Sequence, residues 1–162
     1  MSIKQKRHIR YGLLPVWLLL LPMMLFSACK SPFELKNVDY SMLLETVAIP
    51  DPNGTINDDA YGVVFNVKPL QFLEKGDSSA VNSEYRLIRD ISGYYFVTSK
   101  GYRHVYIFKP GMQSLVLHKK VNVSVNGLTN PAFNQRKPEI HLLEADTLAY
   151  KLHKDGIVGA KK

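Results

Sequence analysis

The sequence predicts an all-β domain, a small antiparallel β-sandwich of roughly seven to nine strands. Three observations predict it. After residue 42, short apolar segments recur, and clusters of Gly, Pro, Asn, Asp and Ser separate them. No segment after residue 30 carries a long apolar pattern of helical period. Residues 114–126 alternate: Leu115, Leu117, Val121, Val123 and Val125 share one face, and His118, Lys120, Asn122, Ser124 and Asn126 the other. Only Lys119 interrupts the apolar set. The pattern predicts one long half-buried strand, or two strands bent near Lys119-Lys120.

The remaining elements follow in order. Residues 43–49 (LLETVAI) read as a first strand, and 50–59 (PDPNGTINDD) as loop by composition. Residues 61–67 (YGVVFNV) form a strand, and 74–83 (EKGDSSAVNS) a second loop. Residues 84–89 (EYRLIR) and 94–99 (YYFVTS) flank Ser92-Gly93. Lys100-Gly101 is a two-residue turn signal leading into 102–109 (YRHVYIFK), which makes this the best hairpin in the chain. Pro110-Gly111 breaks it, and Asn126-Gly127 ends the alternating strand. Residues 129–138 read as loop. Residues 139–143 and 147–152 pair around Ala145-Asp146, and 153–162 form a frayed tail.

The chain has 162 residues, which favours one folded domain, and 46% apolar content argues against disorder. The formal charge of +7 is unevenly placed. Lys4, Lys6, Arg7 and Arg10 account for four of the 21 basic side chains, and all 14 acids lie beyond Cys29. The rest of the chain carries 17 basic against 14 acidic side chains, a net of +3. That is ordinary for a soluble surface, and no Arg/Lys run marks a phosphate-binding stripe, so no nucleic-acid partner is expected.

The basic start leads into an uncharged run from Leu13 to Ala28, interrupted by Pro15 and Pro22. A spanning helix needs about 20 apolar residues, whereas an export signal needs only a short apolar core, basic residues before it and small residues at the cut. Phe26-Ser27-Ala28-Cys29 supplies those small residues directly before the chain's only cysteine. The arrangement resembles the lipobox of bacterial lipoprotein signals, Leu-(Ala/Ser)-(Gly/Ala)-Cys. It departs from that pattern at Phe26, with Leu25 one place early. The resemblance covers Met1 to Cys29 and speaks to location. It implies lipid transfer to the Cys29 thiol and cleavage between Ala28 and Cys29, with Cys29 as the new N-terminus on a membrane. The expected organisation is a signal peptide at 1–28, a lipidated cysteine and tether at 29–42, a β-sandwich at 43–152 and a tail at 153–162. Lys30 stands where, in lipoproteins of this type, an aspartate is similar to an inner-membrane retention signal. Its presence favours the outer membrane. Lys30-Ser31-Pro32-Phe33-Glu34 matches poorly the acidic rule that surface export in some Bacteroidota resembles, which favours the periplasmic face over the cell surface.

Catalytic chemistry is not legible. The histidines of the folded part, His104, His118, His141 and His153, lie far apart in sequence and form no close pair. With no cysteine after Cys29, no zinc signature arises, and no cofactor is expected. No Gly-x-Ser-x-Gly elbow or phosphate-cradling glycine loop is present. Asp51, Asn53, Asn57 and Asp59 place oxygen ligands at alternating positions, as in a calcium loop. Ile56 occupies the place of the required glycine, so a solvated loop is the better reading. Tyr102, His104, Tyr106 and Phe108 share one face of the central hairpin. They form either a covered sheet face or an exposed platform for a sugar ring or a protein partner. Asp146-Thr147-Leu148 resembles the Asp-(Ser/Thr)-apolar sequon for O-glycosylation of exported Bacteroidota proteins, which would place the sugar on Thr147.

These readings lead to a lipid-anchored, non-enzymatic structural or docking subunit of a cell-envelope assembly of secretion or motility type. Its architecture looks like that of the small sandwich lipoproteins of type VI secretion, by analogy of fold alone. Its expected partners are the membrane and other envelope proteins. Two alternatives stand beside it: a carbohydrate-binding lipoprotein using the aromatic face, and a hydrolase with an active site gathered from distant loops.

Overall fold

The computed structural model describes residues 33–35 and 44–159. They belong to the compact unit Ser31–Lys162. Lipobox residues Phe26 to Cys29 lie outside the described residues. Among the described residues the fold is an all-β sandwich of antiparallel sheets with one short helix.

The central sheet has five strands in the order β2-β5-β6-β7-β8: β2 (Thr46–Ala48), β5 (Tyr85–Arg89), β6 (Tyr95–Thr98), β7 (His104–Pro110) and β8 (Leu115–Asn122). Its three inner strands, β5, β6 and β7, are buried on both faces. Tyr85, Leu87, Tyr95, Val97, Tyr106 and Phe108 project into one apolar core, and Ile88, Phe96, Val105 and Ile107 into the other. A strand buried on both sides needs no polar face, so β6 reads as an unbroken apolar run rather than an alternation.

The first core is covered by a three-stranded sheet in the order β1-β4-β3, formed by β1 (Phe33–Leu35), β4 (Val63–Asn66) and β3 (Thr55–Asp58). Ile56, Val63, Phe65 and Leu70 close it. Leu70 comes from the helix α1 (Lys68–Lys75). The second core is covered by four strands in the order β12-β11-β10-β9: β9 (Pro131–Arg136), β10 (Glu139–Glu144), β11 (Thr147–His153) and β12 (Gly156–Ile157). Phe133, Ile140, Leu142 and Leu152 fill it.

Twelve strands are described where about seven to nine were expected. The additional ones lie in segments read as tether, loop or tail. β1 falls in the expected tether and pairs with β4. In the expected loop 50–59, Ile56 turns inward between half-buried Thr55 and exposed Asn57 and forms β3. In the expected loop 129–138, Pro131 and Phe133 point inward and form β9, an edge strand that tolerates proline at its first position. β12 pairs Ile157 with Leu152 inside the expected tail. The expected loop 74–83 begins inside α1. That helix carries proline in its first turn, Lys75 in its last and Gly76 beyond it at φ 71°.

The alternation at 114–126 is also corrected. The pairing of β7 with β8 runs from Ile107 opposite Lys119 to Phe108 opposite Leu117, so His118 is an extra residue, a β-bulge. The bulge reverses the facing of the strand. Leu115 enters the first core and Val121 and Val123 enter the second, while Leu117 (44% exposed) and Val125 (85%) face solvent.

The expected hairpin turn stands at Lys100-Gly101. Tyr102 N–H donates to the Ser99 carbonyl at 3.1 Å, and Gly101 takes φ 81°. A side chain at Gly127 would lie 2.7 Å from the Gly101 carbonyl oxygen, so this glycine permits a backbone crossing.

Candidate functional site

The aromatic row is the strongest site candidate in the sequence, and the structure buries it. Tyr102 and Tyr106 are fully covered and Phe108 nearly so. The row faces α1 and the first core rather than solvent, which corrects the exposed-platform reading. The physical reason lies in α1, whose inward side carries Leu70, Gln71 and Glu74. These residues meet three phenol groups and one imidazole.

Two polar centres result. The Glu74 carboxylate accepts hydrogen bonds from the Arg103 backbone N–H at 2.9 Å and from the Tyr106 hydroxyl at 2.8 Å, with His104 Nδ1 at 2.8 Å. The Gln71 side-chain oxygen accepts from the Tyr102 hydroxyl at 3.1 Å, and Tyr102 Oη lies 3.2 Å from Tyr85 Oη. Tyr85 and Tyr102 pack edge to face, as do Tyr102 and Tyr106. Lys120 Nζ sits 5.6 Å from the Tyr106 ring centre and reaches the Leu73 carbonyl at the end of α1.

Electrostatics fit donors rather than nucleophiles. Burial holds the Tyr102 hydroxyl well above the ordinary phenol range, and its hydrogen bond to Tyr85 adds to that. Burial does the same for Tyr106, reinforced by the Glu74 carboxylate, which would repel a phenolate. Burial raises Tyr85 too, against a smaller opposing effect of its hydrogen bond with Tyr102. These phenols stay protonated and donate. A histidine–carboxylate pair is also part of hydrolytic chemistry, but here both Glu74 oxygens serve to fasten helix to sheet. The two surface cavities described lie elsewhere, one at Pro138, Glu139, His153 and Asp155 to Val158, the other between β2 and β3.

The other candidates separate. Asp51 Oδ1 accepts from the Asn53 N–H at 2.9 Å and the Thr55 N–H at 2.7 Å, an Asx-type turn that engages the carboxylate in the loop itself. Asn57 lies on β3 and Asp59 directly after it. Among the described residues, no three His, Cys, Asp or Glu side chains converge on a metal position. His118 packs on Tyr94, with ring centres 5.1 Å apart, and His141 faces Glu139 at 3.7 Å. Each therefore has its own neighbour. Thr147 is exposed at the first position of β11. Among the described residues no helix is long and apolar enough to cross a membrane.

Gln71 and Glu74 escaped the sequence reading. The signal that could have found them is the Pro69-to-Gly76 frame of a short helix, whose inward side carries the two residues three apart. No family model, no curated protein and no solved structure matches this chain.

Proposed function

We propose that this chain is a lipid-anchored, non-enzymatic docking subunit of a cell-envelope assembly, held at the outer membrane with its domain on the periplasmic side. The observation that carries the reading is Phe26-Ser27-Ala28-Cys29 behind a basic start and an uncharged run. Acyl chains on Cys29 would hold the domain at the membrane, since each buried methylene gives about 0.8 kcal/mol. The fold supports a docking role by what its polar groups do. The densest cluster of titratable side chains, Glu74, His104, Tyr106 and Tyr102, is occupied with joining α1 to the central sheet. The carbohydrate reading needed Tyr102 and Tyr106 at the surface, and they are buried.

The test is mild-detergent extraction of the native protein, followed by native electrophoresis and by assay against generic ester and peptide substrates. The expected result is a complex larger than the monomer that contains other envelope proteins and is absent from Cys29→Ala cells. A monomer with hydrolytic turnover that a folded His104→Gln variant loses would overturn the reading in favour of an enzyme.

A further inference from the structure

We infer that the groove between β2 and β3 seats an extended, basic strand of a partner protein. This rests on the docking role proposed above and names where the docking occurs.

β2 borders the five-stranded sheet and β3 borders the three-stranded sheet. The two strands cover the same core, with Ala48 and Ile56 side by side in it, yet they belong to different sheets. A cavity of about 350 Å³ lies between them, lined by Thr46 to Ile49 and Ile56 to Ala60. A strand lying there would add to a sheet border that no described strand occupies, the geometry of β-augmentation. Two exposed apolar side chains line it: Val47 at 43% and Ile49 at 75%. Val47 and Ile49, two residues apart, offer a partner strand two apolar contacts on one face.

Charge selects the occupant. The groove lining contains Asp58 and Asp59 and no Lys, Arg or His. The nearest cation along the ladder, Arg86 opposite Val47, is already flanked by Glu45 at 3.5 Å and Glu84 at 3.2 Å. The rim is therefore net acidic. Asp58 is buried and caps the Tyr61 N–H at 2.8 Å, whereas Asp59 is exposed. The segment that fits is extended, alternates apolar residues against Val47 and Ile49, and places a Lys or Arg at Asp59.

The opposite border of the central sheet is built differently. β8 carries the His118 bulge together with Lys119 and Lys120. Bulges and lysines are two of the devices by which natural sheets block strand addition. β2 and β3 carry neither a lysine nor a register shift, and what protects them is the three-residue length of β2 and the inward-pointing Asp58 of β3.

The experiment places a photo-cross-linking amino acid at Val47, and in a second strain at Val116 on β8, in the full-length chain in its own membranes. Cross-linked peptides are sequenced by mass spectrometry. The expected result is a cross-link from Val47 to a segment of another envelope protein, with alternating apolar residues and a Lys or Arg. Asp59→Lys, a change at an exposed position, should lower its yield about tenfold or more while leaving the melting temperature unchanged. Cross-links from Val47 to residues 36–43 of the same chain, to a second copy, or to a segment without a basic residue would overturn the inference. So would an Asp59→Lys yield equal to wild type. If the envelope complex is recovered but cross-links only from Val116, the groove is wrong and the docking role stands. If no larger complex exists at all, both fail.

Discussion

At the scale of single residues, two sites make demands that few side chains meet. Ala145 and Asp146 form the two-residue turn between β10 and β11 at φ 48° and 64°, the left-handed pair this hairpin type requires. Alanine is a poor choice there. Ala145→Asn should raise stability by about 0.5–1 kcal/mol, and Ala145→Val should lower it by about 1–2 kcal/mol, read from urea midpoints. Equal effects of both would place the turn in another conformation. The buried tyrosines make the second demand. Tyr61, pushed up to about 12 by burial, and Tyr85, Tyr102 and Tyr106 all ionise later in the folded chain than in the unfolded one. A raised folded value means their contribution is whole below about pH 10 and is lost as pH rises through the folded values. Above about pH 10 the unfolded chain binds fewer protons, and each such tyrosine steepens the loss of stability by about 1.4 kcal/mol per pH unit. Tyr102→Phe should therefore flatten the alkaline limb by that amount in urea titrations at successive pH values. An unchanged slope would mean that Tyr102 ionises normally.

At the scale of elements, α1 and β8 show what the sequence displayed and what it concealed. The strands of the central sheet were legible because Tyr95 to Thr98 and Val105 to Phe108 are apolar almost throughout. β3 and β9 were not, because each packs only one or two apolar side chains among polar ones. β8 was legible as a strand but not in its facing, since a bulge at His118 depends on pairing with β7 that no local pattern records. The bulge yields a direct prediction. Val123→Asp and Leu115→Asp should each cost several kcal/mol, about 3 or more, by placing an unpaired charge in a core. Leu117→Asp should stay within about 0.5 kcal/mol. A large loss at Leu117 would restore the unbroken alternation. The aromatic row was legible as a shared face, and its burial was not, because the covering residues Gln71 and Glu74 come from a helix far upstream in the chain. Glu74→Ala should cost about 3 kcal/mol by leaving Tyr106, His104 and the Arg103 N–H without their acceptor. Glu74→Gln, which keeps an oxygen, should cost clearly less.

At the scale of the whole molecule, β5, β6 and β7 send side chains into both cores, so neither core can form without the shared sheet. Phe65→Ala and Ile140→Ala lie on opposite sides of it. Each should lower a single unfolding midpoint, by about 2–5 kcal/mol, without splitting the transition. Two separable transitions would mean that the layers fold independently. The same arrangement frames the functional account. The interior polar groups hold layers together, and the docking role proposed above assigns the activity to the surface and to a proposed lipid tether at Cys29. The account rests most heavily on that tether, and its most direct test is mass spectrometry of the N-terminal fragment of protein extracted from its native membrane. The account predicts a fragment that begins at an acylated Cys29 and retains nothing of the stretch from Met1 to Ala28. A mature fragment in which that stretch remains joined to an unmodified Cys29 would contradict it.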